Sequence, residues 1–394
     1  MIYMLKEDNE STPLYLISKW DDLDINTDIL RGIYAYGFEN PSPIQCKAIV
    51  PILKKRDIIA QAQSGTGKTA AFTIGALGTL DPSVNTPQIL VLAPTRELTN
   101  QIAGVFISLS SMMKDVHIKT LVGGTSIEED VQLLRKNTYQ VVVGCTGRVY
   151  DMIRRNALIV KNVHLMVIDE ADEMMTTGFK DQLYDIFKYL HKDIQIALFS
   201  ATMSSDMDEI ISAITRDPVR IIVKNEGLTL EGINQYYVAL DDDKHKYFTL
   251  KDLYLSMPVS QCIIYCNSVK RVMDLHNAMV ADGFPVCCIH SNMEKRARDE
   301  SLSEFRNGKY RVLVSSNVTA RGIDIQQVSI VINFDVAKCV HTYLHRIGRS
   351  GRWGRKGIGI NFITRRDVPI IRRVEQHYST QIVELPMNFI EHLA

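Results

Sequence analysis

The sequence lacks the features that mark membrane-spanning and secreted proteins. No uninterrupted apolar run approaches the roughly 18 residues that a membrane helix requires. The N-terminal residues MIYMLKEDNE turn acidic too early for a signal peptide, in which a basic start precedes a longer apolar stretch. We therefore expect a protein of the cell interior, cytoplasmic and without a membrane partner.

Cysteine pairs and an excess of one charge are also missing. None of the seven cysteines belongs to a CxxC pair or has the histidine spacing of a zinc site, so we expect reduced thiols. The formal net charge is zero, but residues 1–225 hold 23 basic and 27 acidic residues, whereas residues 226–394 hold 22 and 18. Any contact with nucleic acid must therefore be a local one.

The length and the apolar pattern predict two domains. A chain of 394 residues exceeds one compact core of usual size. In both halves, short apolar runs that suit buried strands alternate with longer amphipathic stretches, which is typical of βαβ units. We expect an α/β fold with two parallel-sheet domains in tandem. The predicted division is a lead-in at 1–19, an N-terminal domain at 20–225, a linker at 226–232 and a C-terminal domain at 233–394.

The stretch DIIAQAQSGTGKTAAFT, at residues 57–73, indicates phosphate chemistry. A short apolar run leads through a glycine-rich turn into an Ala-rich helix, and such a turn can direct successive N–H groups at a phosphate. Ala62 occupies a position where the usual motif has glycine, and an ordinary loop before a helix is the alternative. We predict that Lys68 reaches the β- and γ-phosphates and that Thr69 ligates Mg²⁺. The other predicted loop residues are Ser64, Gly65, Thr66 and Gly67.

A pair of carboxylates follows another apolar run in the sequence VIDEAD, at residues 167–172. Strand ends of this kind lie at the carboxyl edge of a sheet, where α/β folds bind ligands. We predict that Asp169 holds Mg²⁺, directly or through water, and that Glu170 orients or deprotonates the attacking water. An acidic surface turn is the alternative for this pair taken alone.

Arginines recur every third residue in HRIGRSGRWGRKG, at residues 345–357. Guanidinium groups bind phosphate oxygens in pairs of hydrogen bonds, and an arginine can stabilise the charge of phosphoryl transfer. A solvated basic turn or a plain RNA-backbone patch is the alternative. The interleaved glycines favour close packing at a site.

These motifs together resemble the DEAD-box RNA helicases, and the likeness runs from about Trp20 to the C-terminus. The family's motifs occur in order: PIQ at 43–45, AQSGTGKT, PTREL at 94–98, DEAD at 169–172, SAT at 200–202, ARGID at 320–324 and HRIGRSGR. Within the family, the chain is similar to the translation-initiation branch and its exon-junction paralogue. The resemblance implies two RecA-like domains and, in an exon-junction role, a nuclear location.

The resemblance also implies roles at the nucleotide, which would be ATP. Gln45 would read the adenine edge, and Trp20, where the family usually has Phe, would stack nearby. Asp324 would lie near the ribose. Arg349 and Arg352 would be arginine fingers from the second domain.

RNA contacts are implied in the same way. Ser200 and Thr202 would couple hydrolysis to the RNA site, and binding would be largely independent of sequence because it uses the backbone and 2′-hydroxyl groups. No aromatic-rich base platform argues otherwise. The implied RNA-binding residues are Pro94, Thr95, Arg96, Gly123, Gly124 and Arg148 on the first domain, and Asn267, Ser315 and Ser316 on the second.

Three departures from the family pattern concern RNA rather than ATP. Cys145-Thr146 replaces Thr-Pro, Ser291-Asn292 replaces Gly-Asp, and Asn317 replaces Asp. The first removes a proline that stiffens a turn, and the other two each remove a carboxylate. We expect them to affect RNA binding or the rate of unwinding.

The predicted function is an ATP-dependent RNA helicase that couples hydrolysis to RNA binding and local unwinding or RNA–protein remodelling in translation initiation. ATP and RNA are expected to bind across a cleft between the two domains. An ATP-gated RNA clamp of the exon-junction type is the main alternative, and a DNA translocase is a weaker one. Protein activators of the initiation-factor scaffold type and a monomeric state are also expected.

Overall fold

The structure is a computed structural model that describes residues 3–5, 14–62, 65–175, 178–203, 205–222, 233–256, 261–319, 328–350 and 357–386. The chain divides into two compact units, Met1–Lys224 (unit 1) and Asn225–Ala394 (unit 2). The predicted linker at 226–232 lies outside the described residues. No helix in the described part of the chain has the length and apolar character needed to cross a membrane.

Unit 1 contains a seven-stranded parallel sheet in the order β5-β6-β4-β7-β8-β3-β9. The strands of this sheet are β3 Ile58–Gln61, β4 Ile89–Leu92, β5 Ile118–Leu121, β6 Val141–Gly144, β7 Leu165–Ile168, β8 Gln195–Ser200 and β9 Val219–Ile222. Two further strands, β1 Tyr3–Leu5 and β2 Leu14–Leu16, form a separate pair. Its helices are α1 Thr27–Ala35, α2 Pro43–Leu53, α3 Lys68–Thr79, α4 Arg96–Leu109, α5 Ile127–Lys136, α6 Thr146–Arg154, α7 Ala171–Met174, α8 Lys180–Phe187 and α9 Ser205–Ile214.

Unit 2 repeats the architecture with the order β12-β13-β11-β14-β15-β10-β16, again parallel throughout. Its strands are β10 Ile233–Ala239, β11 Gln261–Tyr265, β12 Val286–Ile289, β13 Val312–Ser315, β14 Val328–Asn333, β15 Gly357–Ile363 and β16 Val383–Glu384. Its helices are α10 His245–Ser256, α11 Val269–Ala281, α12 Lys295–Arg306, α13 Val340–Ile347 and α14 Val368–Tyr378.

Helices cover both faces of each sheet. In unit 1, α1 to α4 pack on one face and α6 to α9 on the other. In unit 2, α12, α13 and α14 share one face, and α10 and α11 share the other. Because central strands are buried on both faces, they are continuous apolar runs, and this is why the short apolar runs predicted them. The expected α/β fold with two parallel sheets is confirmed.

The lead-in predicted at residues 1–19 contains a strand pair that the sequence did not indicate. Strands β1 and β2 form an antiparallel pair with Tyr3 opposite Leu16 and Leu5 opposite Leu14. The segments YML and LYL combine an aromatic residue with large apolar ones, and such residues favour extended structure. Three-residue strands are too short to show a clear alternation in the sequence, so the pattern did not indicate them.

Candidate nucleotide and RNA sites

The phosphate loop joins the buried strand β3 to helix α3. Gly65 and Gly67 have φ angles of 84° and 99°, a left-handed region that side chains with a Cβ rarely adopt. Gly67 is the N-cap of α3, so the N–H groups of the first helical turn begin directly after it. A Cβ at Gly67 would lie 2.6 Å from Nε2 of Gln45 and 3.0 Å from Oγ of Ser42. The loop can therefore hold this shape only with glycine at that position.

Lys68 and the two adjacent carboxylates form a buried charged group. Asp169 and Glu170 follow β7 directly, and Nζ of Lys68 lies 3.9 Å from Oε1 of Glu170. All three side chains are almost fully buried. Burial and the neighbouring Glu170 charge raise the pKa of Asp169. Within the described part of the chain, Nζ of Lys68 has no hydrogen-bond partner.

Glu170 has an unusual backbone conformation. Its φ is 50°, which places a residue with a Cβ in the left-handed region. Its N–H donates to Oδ1 of Asp169 at 2.9 Å, and its carbonyl accepts from the N–H groups of Glu173 and Met174. Strained backbone of this kind persists where the surroundings determine it and is frequent at active sites. The turn places the two consecutive carboxylates at the carboxyl edge of the sheet, directly after β7.

The SAT motif is hydrogen-bonded to the DEAD motif. Oγ1 of Thr202 donates to Oδ2 of Asp172 at 2.7 Å, and the N–H of Asp172 donates to Oγ of Ser200 at 3.2 Å. Oγ of Ser200 in turn donates to the carbonyl of Thr202 at 2.7 Å. Strand β8, which ends at Ser200, lies between β7 and β3. Two hydrogen bonds thus join the SAT motif to Asp172 of the DEAD motif.

Gln45 contacts the phosphate loop. Its Oε1 accepts from the N–H of Ser42 at 2.7 Å, and its Nε2 donates to the carbonyl of Gly67 at 3.3 Å. Oγ of Ser42 donates to the carbonyl of Thr66 at 2.8 Å. Reading of adenine by Gln45 stays a prediction, but these contacts already attach the start of α2 to the loop.

The Trp20 ring is fully buried, with its centroid 6.2 Å from that of Phe38. Phe38 is itself half-buried and lies 4.8 Å from the ring of Tyr36. Stacking of Trp20 near the adenine stays a prediction. The sequence reasoning placed Phe38 ahead of the Gln45 motif but gave it no role of its own.

The residues predicted to contact RNA in unit 1 lie after the neighbouring strands β4, β5 and β6. The guanidinium of Arg96 packs on Gly123 and Gly124, where an added Cβ on Gly124 would lie 2.6 Å from Nη1 of Arg96. Thr95 caps α4 by accepting from the N–H of Leu98, and Pro94 just before it is buried. The tertiary structure therefore brings Pro94, Thr95, Arg96 and the two glycines together.

Arg148 belongs to a buried polar cluster beside the same glycines. Its Nη1 bonds to Oδ2 of Asp130 and, at 2.8 Å, to Oγ1 of Thr125, while Nη2 donates to the carbonyl of Thr125 at 2.8 Å. Asp130 also accepts from Nζ of Lys119 at 2.8 Å. The side chain of Arg148 is 7% exposed, so its guanidinium holds the loop that follows Gly124. Direct contact of Arg148 with RNA stays a prediction.

The lost proline is replaced by a side-chain hydrogen bond. Thr146 begins α6 and donates from Oγ1 to Oε1 of Gln182 in α8 at 2.7 Å. Proline at the first helical position would preset φ without such a bond. The Cys145-Thr146 turn is thus attached to a second helix.

In unit 2, Asn267 binds a buried arginine. Arg346 is fully buried, and its Nη2 donates to Oδ1 of Asn267 at 2.7 Å. Its Nη1 donates to Oδ1 of Asn333 at 3.1 Å and to the carbonyl of Asp335 at 2.7 Å. Burial lowers the pKa of Arg346. The amide of Asn267 is therefore occupied within unit 2, and a contact with RNA stays a prediction.

The other predicted residues of unit 2 are only partly described. Nε of Arg349 donates to the carbonyl of His345 at 3.2 Å. Ser315 is buried and donates to the carbonyls of Ile289 and Ser316, and the N–H of Ser316 donates to the carbonyl of Ile289. Ser64, Asp324 and Arg352 lie outside the described residues, so their predicted roles stay predictions.

Comparison with known proteins identifies the family. The profile of the DEAD/DEAH box helicases matches residues 42–210, and that of the helicase conserved C-terminal domain matches residues 245–354. A protein of Aspergillus fumigatus named ATP-dependent RNA helicase eIF4A is 49% identical over 373 residues, which cover 95% of this chain and 91% of that protein. The chain belongs to the DEAD-box helicase family.

Two further relatives extend over almost the whole of this DEAD-box helicase. A Kluyveromyces lactis protein with the same eIF4A name is 48% identical over 382 residues, 97% of this chain and 96% of that protein. The structure of S. cerevisiae Dbp5 bound to RNA and ADP BeF3 is similar with a TM-score of 0.86 at 32% identity, and it covers 95% of this chain and 97% of the Dbp5 chain. The expected family and its RecA-like fold are confirmed.

The sequence reasoning gave no role to three polar residues that connect the motifs of this helicase. Asp172 connects the DEAD and SAT motifs, Asp130 holds Arg148, and Asn333 holds Arg346. The available signals were that Asp172 belongs to the DEAD motif and that Asn333 ends the apolar strand β14. Their partners are distant in the chain, so no local pattern identified the pairs.

Proposed function

We propose the following division of roles in this ATP-dependent RNA helicase. Unit 1 binds the triphosphate of ATP with the loop before α3 and with Lys68. The observation that carries this proposal is the Lys68 ammonium, which is buried beside the N-terminus of α3 and lacks a hydrogen-bond partner among the described residues. A buried ammonium that makes no hydrogen bond is unfavourable even at 3.9 Å from the Glu170 carboxylate, whereas phosphate oxygens beside the same N–H groups would accept its hydrogen bonds.

The residues present suit a magnesium ion. Thr69 and Asp169 offer oxygen donors, which Mg²⁺ prefers, and burial together with the Glu170 charge raises the pKa of Asp169. A divalent cation next to both carboxylates would favour their charged forms. We assign Thr69 and Asp169 as its protein ligands. When bound, the ion neutralises charge on the β- and γ-phosphates.

Hydrolysis requires one group that orients or deprotonates the attacking water and other groups that stabilise the negative charge that develops on the phosphate. We assign the first role to Glu170, which its strained backbone holds at the end of β7. Arg349 and Arg352 of unit 2 stabilise the charge that develops on the γ-phosphate. Ser200 and Thr202 couple this chemistry to RNA binding through Asp172. Gln45 and Trp20 receive the adenine, and Asp324 the ribose.

The cellular role that we propose is local unwinding of RNA in translation initiation. The eIF4A names of relatives that match more than nine-tenths of this chain support this role. The RNA contacts are assigned to the residues beside Gly123 and Gly124 in unit 1, and to Asn267, Ser315 and Ser316 in unit 2. We propose a cytoplasmic monomer that protein activators of the scaffold type stimulate.

Steady-state ATP hydrolysis with and without single-stranded RNA tests the coupling. We expect RNA to raise the rate, and a rate that does not respond to RNA would contradict the proposal. Lys68→Ala is expected to abolish ATP binding, whereas Glu170→Gln should bind ATP and fail to turn it over. The exposed residues Lys161 and Glu39 provide matched controls as Lys161→Ala and Glu39→Gln. Normal turnover by Glu170→Gln would remove Glu170 from its assigned role.

Strand displacement distinguishes unwinding from clamping. A helicase separates a short RNA duplex during ATP turnover, so duplex loss is expected on the timescale of hydrolysis. A chain that holds RNA for much longer than one hydrolysis cycle and separates no duplex is an ATP-gated clamp. Competition with DNA of equal length addresses the weaker alternative of a DNA translocase.

A further inference from the structure

Four arginines that no motif explains lie together at the end of β15 and on α14. Arg365 and Arg366 form the turn between the two elements, and Arg372 and Arg373 lie within the helix. All four side chains are exposed. None makes an ion pair or a side-chain hydrogen bond with any residue that the structure describes. We refer to these four residues as the arginine face.

The carboxylates nearest in sequence are held by other groups. Oδ2 of Asp367 accepts from the N–H of Thr364 at 2.9 Å and from its hydroxyl at 2.8 Å. Oε1 of Glu375 accepts from the N–H of Ile382 at 2.9 Å. The segment from Thr364 to Tyr378 contains four arginines and only these two carboxylates. Its formal charge is therefore +2, in a chain whose net charge is zero.

Two of the four arginines lie on the exposed side of α14. Ile371 and Val374 are the residues of α14 buried against the sheet, so the arginines occupy the opposite, exposed side. Arg372 and Arg373 are consecutive residues of α14, and Arg365 and Arg366 lie in the turn that leads directly into its first residue. His377 is exposed and lies one turn beyond Arg373 on the same side. Its ring contacts Tyr378 edge-to-face at 4.7 Å.

The arginine face begins at the edge of the sheet where RNA is proposed to bind. All strands of unit 2 are parallel, so Ser315 at the end of β13, Asn267 after β11 and Arg365 after β15 lie at the same carboxyl edge. Strand β15 is two positions from β11 and three from β13. At about 4.8 Å per strand, these separations are roughly 10 and 14 Å. An RNA strand needs only a few nucleotides to cover that distance.

We propose that the arginine face is a second binding site for the RNA backbone. It takes the phosphodiester groups of the strand that continues beyond Asn267 and Ser315, without regard to base sequence. Guanidinium groups suit this ligand because each one can bind two phosphate oxygens, and the exposed His377 ring adds a surface for base stacking. The site rests on the proposed RNA-helicase function and extends its footprint.

RNA binding as a function of length and salt tests the site. The probes are single-stranded RNAs of about 8 and about 25 nucleotides, and the shorter one is within the range that a single-strand binding fold usually covers. Wild type should bind the longer RNA more tightly, and replacing all four arginines by Gln should remove most of that difference, roughly tenfold or more. Four lost phosphate contacts should also lower the slope of log K against log salt by about 3.

Two control proteins make the result specific. Replacing the four arginines by Lys retains point charges and should keep most of the length effect. Lys244→Gln with Arg306→Gln removes two exposed charges of unit 2 elsewhere and should keep all of it. An unchanged length effect in the Gln variant overturns the site and leaves an acidic protein as the better partner. An equal loss in the Lys244/Arg306 control overturns it as a general charge effect.

A failure of the proposed function gives a different result. In that case wild type itself shows no stimulation of ATP hydrolysis by the shorter RNA. If the shorter RNA stimulates wild type but the Gln variant retains the full length effect, only the arginine face is wrong.

Discussion

Oδ1 of Asn317 accepts two hydrogen bonds from the buried guanidinium of Arg346, at 2.9 Å from Nε and at 2.7 Å from Nη2. Asn267 and Asn333 supply further amide oxygens to the same group. Where the DEAD-box pattern has aspartate, this chain thus surrounds a buried cation with neutral acceptors. The nearest acidic residue, Asp335, contributes its carbonyl, and its carboxylate is paired with Arg271 at 2.6 Å.

The first prediction concerns Asn317. Asn317→Ala removes two hydrogen bonds to a buried charge and should lower the free energy of unfolding by about 3 kcal/mol. Asn317→Asp should raise it by about 1 kcal/mol, because a carboxylate binds the guanidinium more strongly than an amide. Thermal and denaturant unfolding measure both changes. Equal stability of Asn317→Ala and wild type would show that Arg346 does not need this partner.

The second prediction uses two glycines of unit 1. Gly67→Ala forces a φ of 99° on alanine and brings its Cβ within 2.6 Å of Nε2 of Gln45, so ATP affinity should fall at least about tenfold. Gly104→Ala is the control, because nothing lies within 4 Å of its added Cβ in helix α4. It should raise stability by up to about 1 kcal/mol and leave ATP affinity unchanged. Nucleotide titration and thermal unfolding measure the two effects.

The third prediction separates a positioning role of Arg148 from direct RNA contact. If Arg148 acts by holding the loop after Gly124, then Asp130→Asn and Arg148→Gln should weaken RNA binding to similar extents. The double variant should be no weaker than either single one, because both changes break one cluster. RNA titrations of the four proteins complete this cycle. Tighter binding by Asp130→Asn would instead indicate that a released Arg148 contacts RNA.

The fourth prediction is a pH dependence from His290. Burial, with the nearby charges of Arg298 and His276, lowers the pKa of His290. The neutral form is therefore favoured in the folded state, so its contribution to stability is present above the unfolded pKa of about 6.5. That contribution is lost as the pH falls through the lower folded pKa. Between pH 7.5 and 5.5 the melting temperature of wild type should fall more than that of His290→Gln, and parallel curves would exclude His290.

Sequence reasoning located most strands because central parallel strands are buried on both faces. The apolar runs ILVL at 89–92 and LMVI at 165–168 coincide residue for residue with β4 and β7, two interior strands of their sheet. It overlooked β5, in which only Leu121 is fully buried, and β16, whose two side chains are exposed, because neither segment carries a clear apolar pattern. It also treated β1 and β2 as loose chain. The short motifs were found because their residues are consecutive.

The sequence by itself determined the family, the two α/β units and the kinds of residue predicted to bind phosphate. It could do so because motif spacing and apolar runs are local properties of the chain. Only the tertiary structure decided which side chains bind one another. Thr202 bonds to Asp172 across 30 residues and Arg346 to Asn267 across 79, and both pairs depend on the order in which strands join the sheet. Strand order follows from packing between distant segments, which no local pattern records.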